Sequence, residues 1–385
     1  KGPGLQPGLL ILDIELPVGA AISGARQGFL SMTMQTKINA KSARALGSLP
    51  ADHPETTIGK VGVLLVNLGT PDGTDYAPMR RYLKEFLSDK RVIEWSRLFW
   101  YPILYGIVLN TRPKKSGHAY EQIWNRERNE SPLRTFTRSQ GEKLAEALKD
   151  QPDVIVDWAM RYGNPSMESV VTRLREQGCE RIVMFPLYPQ YSASTTASVN
   201  DKFFEVLMKT RYMPAVRTVP WYHDEPVYIE ALARSIESHV AKLEFEPEVV
   251  IASYHGIPQS YFKKGDPYHC HCLKTTRLLR ERLGWSKDKL ITTFQSRFGP
   301  EEWLQPYTDK TVEKLAKDGV KSIAVFNPGF VSDCLETLEE IAGEAGEIFH
   351  AAGGRNFSHI PCLNDSEDGM AVIEHMVRRE LQGWV

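Results

Sequence analysis

Val61-Gly-Val-Leu-Leu-Val-Asn-Leu-Gly-Thr-Pro71 decides the fold class. A short apolar run without alternation, closed by Gly, Thr and Pro, reads as a strand buried on both faces, as in a parallel sheet covered by helices. Val249-Val-Ile-Ala-Ser-Tyr-His-Gly-Ile-Pro258 has the same form, and its Gly256 stands 187 residues after Gly69. Further on, Val171, Leu174, Gly178, Ile182 and Phe185 recur as Val312, Leu315, Gly319, Ile323 and Phe326, each 141 residues later. Both copies read as amphipathic helix, glycine stop and apolar strand. The pattern predicts an α/β chain with two doubly wound, Rossmann-like parallel-sheet domains related by duplication.

The two offsets, 187 and 141, differ by 46 residues, so the first half carries an insertion, placed within about residues 72–130. That segment holds Trp95, Phe99, Trp100, Tyr101, Tyr105 and Ile107. Such a cluster is either the core of a helix pair or an apolar lip for a flat hydrophobic ligand or a membrane surface. The expected domains are residues 58–225, including the insertion, and 226–385, with a C-terminal helix packing back. Residues 1–57, rich in Gly, Pro, Ala and Ser, read as a disordered extension. Met32 or Met34 is an alternative native start, which leaves open whether residues 1–31 exist in the native protein.

Lys and Arg number 47 against 48 Asp and Glu, so no net field draws the chain to nucleic acid or an anionic surface. Five irregularly spaced cysteines fit a reducing compartment better than a disulfide framework. The apolar run at residues 9–16 is interrupted by Asp13 and Glu15 and follows no basic cluster, so no secretory signal is expected. The uncharged stretch 98–111 falls short of the ~20 residues that a spanning helix needs. These features predict a cytoplasmic protein, at most peripheral to the inner membrane.

Doubly wound folds often hold nucleotides, but neither G-x-G-x-x-G nor G-x-x-x-x-G-K-[ST] occurs, and Gly69-Thr-Pro-Asp-Gly73 lacks the P-loop lysine. His255 ends a predicted parallel strand, where side chains reach the ligand crevice; elsewhere a lone histidine is usually structural. Glu336 opens a predicted helix over residues 334–348, with Glu340 and Glu344 at i+4 and i+8 on the same face. Like charges at this spacing destabilise an isolated helix. The row is either a solvated acidic face or a ladder of hard oxygen ligands, binding a divalent cation weakly enough at each step to release it. His269, Cys270, His271 and Cys272 are too close together to wrap one tetrahedral ion, whose structural sites space ligands as C-x2–4-C.

Over nearly the whole of residues 60–380 the motifs resemble the ferrochelatase family. The resemblance rests on Leu65-Val-Asn-Leu-Gly-Thr-Pro71, Glu130-Ser-Pro-Leu133, Met160-Arg-Tyr-Gly163, Phe185-Pro-Leu-Tyr-Pro-Gln-Tyr191, Ser253-Tyr-His-Gly-Ile-Pro258 with Gly265-Asp-Pro-Tyr268, Phe294-Gln-Ser296 with Gly299-Pro300 and Trp303, and Ser332-Asp-Cys-Leu-Glu-Thr337. It implies the chelatase fold and insertion of Fe2+ into protoporphyrin IX, giving protohaem and two protons, with iron as a substrate and no resident cofactor. It also implies that His255 and Glu336 face each other across the porphyrin as the catalytic pair. Porphyrin contacts are implied for Ile93, Arg161, Tyr162, Tyr188, Trp303, Phe330 and Asp333. The acidic row adds Glu340 and Glu344 to that pair as candidate metal ligands. Which of His255 and Glu336 takes a pyrrole proton and which holds iron is open from sequence.

Two departures from the family pattern matter. Ala193 stands where some members have a cluster-binding cysteine, and no cysteine follows Cys362, so no 2Fe–2S cluster is expected. Cys334 replaces a histidine found in some relatives, so that histidine's role does not carry over. The expected partners are porphyrin and Fe2+, with peripheral membrane contact through the apolar lip, no nucleic acid, and a monomer or weak dimer. Competing readings are a coproporphyrin or cobalt chelatase, and a non-catalytic haem carrier that would retain stoichiometric haem.

Overall fold

β1 (Lys60–Thr70) is buried along almost its whole length, because helices cover both faces of its Val-Gly-Val-Leu-Leu-Val run. The structure, a computed structural model, describes residues 59–385; the expected extension at residues 1–57 and the alternative starts Met32 and Met34 lie outside the described residues. β1 pairs in parallel with β2 (Val154–Gly163) on one side and β3 (Cys179–Pro186) on the other, and β3 pairs with β4 (Ala215–Thr218). The second half repeats this plan. β5 (Val249–His255) lies between β6 (Leu290–Gln295) and β7 (Ser322–Phe326), and β7 pairs with β8 (Asn356–Ile360). The sheet orders are β2-β1-β3-β4 and β6-β5-β7-β8, so the repeats in sequence are repeats in topology. The repeated helices are Met167–Glu176 and Thr308–Lys317, each followed by its glycine and then β3 or β7.

In each sheet the chain leaves the central strand for one neighbour and returns to the opposite side, so a crevice opens at the carboxyl ends of β1 and β3, and of β5 and β7. The end of β1 is closely packed. Gly69 has φ +114°, and a Cβ there would lie 1.9 Å from the Tyr162 carbonyl oxygen, so only glycine lets β1 approach β2 at this level.

Leu65, Val183 and Phe185 of the first sheet and Val250, Ala252, Tyr254 and Phe326 of the second belong to one buried cluster, with side chains from the helices Pro226–Val240 and Glu367–Leu381. Each Val, Leu and Phe among them contributes roughly 1.5–3 kcal/mol on burial, which ties the sheets into one body. The C-terminal helix Glu367–Leu381 packs on the helix Pro132–Ala147 and on β3, both in the first half.

The insertion forms the helices Tyr76–Leu87, Arg97–Ile103 and Leu109–Ile123, with a π-helical turn at Leu104–Val108. Its aromatic cluster divides. Trp100 is buried and its indole N–H donates to the Leu87 carbonyl at 2.7 Å, whereas Leu98, Phe99 and Ile107 are 86%, 74% and 59% exposed. Trp95, Tyr101 and Tyr105 are also exposed, so this face is a lip as well as a core. Among the described residues no helix is long and apolar enough to cross a membrane.

The predicted helix over residues 334–348 is present but wound differently. Glu336–Ala345 is a π-helix, followed by an α-helix over Gly346–Ala351. Hydrogen bonds from i to i+5 widen the turn, a geometry usually limited to single turns and found most often where function demands it.

Candidate active site

The crevice ends of the two sheets open into one cleft with about 1200 Å³ of empty space, counting its open mouth. Leu68 and Gly69 come from the end of β1, Leu187, Tyr188 and Gln190 from beyond β3, His255 to Pro258 from the end of β5, and Phe330, Val331, Ser332, Cys334 and Glu336 from beyond β7. The insertion supplies Tyr82, Phe86, Val92 and Tyr120. An adjoining hollow of about 1060 Å³ shares Phe86, Val92, His255, Pro258, Tyr261 and Trp303 with the cleft and adds Ile93, Ser296 and Glu340. The walls are mostly apolar and aromatic, as suits a flat hydrophobic ligand.

His255 Nδ1 lies 2.6 Å from the Gly256 carbonyl oxygen. A carbonyl only accepts, so Nδ1 carries the hydrogen and neutral imidazole keeps its lone pair on Nε2. The Trp303 ring lies 6.4 Å from the His255 ring, and the Trp303 indole N–H donates to the Phe298 carbonyl at 2.9 Å. A Cβ at Gly256 would stand 2.9 Å from the Gln295 carbonyl oxygen and 3.1 Å from Trp303, so glycine here permits the tryptophan to close on the histidine.

Glu336 begins the π-helix and lines the main cleft; Glu340 lines the adjoining hollow. Glu340 also lines an outer depression of about 690 Å³ with Glu344, which is exposed. The acidic row therefore runs from cleft to surface. Burial, reinforced by the charge of Glu336, pushes the Glu340 carboxyl up to about 7, against the pull of hydrogen bonds from Ser296 and Gln295. Burial keeps Tyr82 and Tyr120, beside Glu336, firmly protonated. Burial likewise raises the Cys334 thiol, with Glu336 adding to it, so without a metal this residue stays a neutral thiol. Among the described residues no three of His, Cys, Asp and Glu converge as a metal cage.

Of the sequence-derived contacts, Tyr188, Trp303 and Phe330 line the main cleft and Ile93 the adjoining hollow. The Tyr188 hydroxyl is buried without a hydrogen-bond partner among the described residues. Arg161, Tyr162 and Asp333 are placed behind the walls. Arg161 Nη2 pairs with Asp89 at 2.5 Å, and Tyr162 and Ser198 donate to the same carboxylate at 2.8 and 2.5 Å. Burial would raise the Asp89 carboxyl, but hydrogen bonds from Ser198, the Arg91 backbone and Tyr162, with the Arg161 charge, hold it below its ordinary value. Asp333 accepts from Thr337 at 2.8 Å and from Asn364 at 2.6 Å, fixing the turn that presents Glu336.

The His and Cys run lies in the helix Tyr268–Leu283, whose side chains diverge: Cys272 is buried, Cys270 is exposed, and the His271 ring stacks on His223 at 3.8 Å. Sequence reading passed over Tyr82, Phe86 and Tyr120. Tyr82 and Phe86 share a helical stripe with Met79 and Leu83, and Tyr120 shares one with Pro113 and Gly117; both stripes read equally well as core, and only the fold turns these rings to the cleft.

A family model described as Ferrochelatase matches residues 60–381. The chain belongs to the ferrochelatase family. Ferrochelatases from Allorhizobium ampelinum and Agrobacterium fabrum are each 74% identical to it, over 88% of this chain and 98% of the first, and over 89% of this chain and 100% of the second. Among solved structures, SirB from Bacillus subtilis with Fe3+ is 12% identical at a TM-score of 0.49, covering 83% of this chain and 95% of that one. As a ferrochelatase the chain is an enzyme, a metal chelatase of haem synthesis whose substrates are porphyrin and iron.

Proposed function

We propose that the cleft inserts Fe2+ into protoporphyrin IX, with His255 as the base for a pyrrole proton and Glu336, Glu340 and Glu344 as successive holds for the metal. One observation carries this reading: His255 and Glu336 line the same apolar cleft, brought there by β5 and by the turn after β7. A flat macrocycle hides its nitrogen lone pairs in the ring plane, so insertion needs a bent ring, removal of two N–H protons and a dehydrated metal. Apolar walls including Leu187, Tyr261, Trp303 and Phe330 would grip the ring away from its centre and offset ~1–5 kcal/mol of distortion. The Nε2 lone pair of His255 accepts one pyrrole proton as the ring bends, hands it to solvent and then accepts the second, so both protons leave by the same imidazole. Carboxylates offered one or two at a time hold Fe2+ loosely, so the metal is passed on.

Ile93, Tyr188, Trp303 and Phe330 are our proposed porphyrin contacts; Arg161, Tyr162 and Asp333 support the walls from behind. We further propose that no iron–sulfur cluster is present, since Ala193 offers no thiolate. The protein is proposed to be cytoplasmic, a monomer or weak dimer, and to touch the membrane through the exposed lip of Leu98, Phe99 and Ile107. Steady-state turnover with porphyrin binding tests the pair. His255→Ala and Glu336→Gln should each lose most turnover, at least about a hundredfold for loss of a general base or metal hold, while still quenching porphyrin fluorescence on binding. Turnover at the wild-type rate in either variant overturns the assignment.

A further inference from the structure

Glu340 is held by two consecutive residues. Ser296 Oγ and Gln295 Nε2 donate to the same carboxylate oxygen, Oε2, the latter at 3.3 Å, and among the described residues no hydrogen bond falls on Oε1. Neighbouring side chains of an extended strand point to opposite faces, so β6 alone cannot deliver both donors to one carboxylate. Ser296, immediately after β6, has φ +62°, a left-handed conformation uncommon for residues other than glycine. That twist breaks the alternation and brings the serine hydroxyl to the same side as the glutamine amide.

The glutamine amide has only one orientation open to it. Its Oε1 accepts from Ser253 Oγ and Asn327 Nδ2, each at 2.7 Å, so its Nε2 must face the π-helix. There it also donates to the Glu336 carbonyl at 2.7 Å. Asn327 is fixed in turn by His359 at 3.2 Å. A strained backbone and a fully determined amide thus converge on one oxygen of one carboxylate.

We propose that Gln295 and Ser296 are positioning residues that lock Glu340 through Oε2 and leave Oε1 as the single oxygen offered to an incoming divalent cation. This rests on the reading above that Glu340 holds iron in transit. Partners that orient a ligating carboxylate typically govern about 10–100-fold in metal affinity.

Co2+, which resists oxidation during titration, serves as the probe on the full chain without porphyrin, alongside steady-state kinetics with Fe2+. Ser296→Ala and Gln295→Met should each weaken Co2+ binding about tenfold and raise KM for Fe2+ by a similar factor, with KM for porphyrin as in the wild type. Ser296→Gly relieves the left-handed backbone and should melt higher than Ser296→Ala while binding Co2+ as weakly, which separates the hydroxyl from fold stability. In a Glu340→Gln background, Ser296→Ala should add no further loss. Wild-type Co2+ affinity and Fe2+ KM in both serine variants, with weak binding in Glu340→Gln, overturns the lock and leaves the iron reading standing. Wild-type affinity in Glu340→Gln itself removes that reading and the lock together. A change confined to KM for porphyrin overturns the lock too, because Ser296 would then be touching the macrocycle.

Discussion

Small departures from ordinary residue behaviour shape the site. Glu340 takes up its proton more readily folded than unfolded, so its contribution to stability is complete below its unfolded pKa of about 4.3 and is lost as pH rises through about 7. Glu340→Gln removes that dependence. Its melting temperature should therefore gain on the wild type between pH 5 and pH 8, in differential scanning of the metal-free protein; a constant difference across that range would place the carboxyl in ordinary solvent. Gly256 makes a steric demand. Gly256→Ala forces Trp303 or the end of β6 to move, and we expect a loss of roughly 1–3 kcal/mol in denaturant melts together with most of the turnover. Unchanged stability and turnover would show that Trp303 need not sit against the backbone at His255.

At the scale of elements, the π-helix Glu336–Ala345 matters most. Its wide turns are how the row passes from the cleft through a buried position to an exposed one. Removing Ala342, an exposed residue within it, would take one residue's turn, roughly 100° of helical winding, out of the path between Glu340 and Glu344. We expect helical circular dichroism to persist while KM for Fe2+ rises several-fold. An unaltered iron dependence would make the row a solvated acidic face. Sequence periodicity placed a helix here and put the three carboxylates on one side, but it had no means of telling π from α winding, since residues four apart share a face in both. The strands were more legible. β1 and β5 are apolar runs broken only by Asn67 and Ser253 before their turn residues, and such runs have few other solutions.

For the molecule as a whole, duplication explains why two crevices face one cleft, and the insertion explains why that cleft is lined on one side by Tyr82, Phe86 and Tyr120. The topology was readable because glycine and apolar positions recur in register at Gly178 and Gly319, and at Phe185 and Phe326. His255 and Glu336 were readable because each sits at a strand or helix end where a doubly wound sheet places its ligand. The wall residues were not, because a cleft-lining tyrosine and a core tyrosine leave the same mark in a helical stripe. Arg161 and Tyr162 show the converse: motif membership marked them, and the structure pairs them with Asp89 outside the cleft lining. We place the seam between the repeats near residue 225 as a proposal. The exposed lip bears on location: Leu98→Glu with Phe99→Glu should reduce co-sedimentation with liposomes several-fold and leave turnover on detergent-dispersed porphyrin intact. Equal sedimentation of both proteins would assign the lip to another partner.

We propose that this cleft exchanges two pyrrole protons for one ferrous ion, with His255 and Glu336 at its centre. An anaerobic, lightly buffered assay following Fe2+ loss, haem absorbance and proton release together, with protoporphyrin IX and coproporphyrin in parallel, tests it most directly. We expect one Fe2+ consumed and two protons released per protohaem formed by the wild type, and porphyrin bound without either signal in His255→Ala and Glu336→Gln. Stoichiometric haem retained from expression with no metalation of added porphyrin, or full insertion by both variants, would contradict the account.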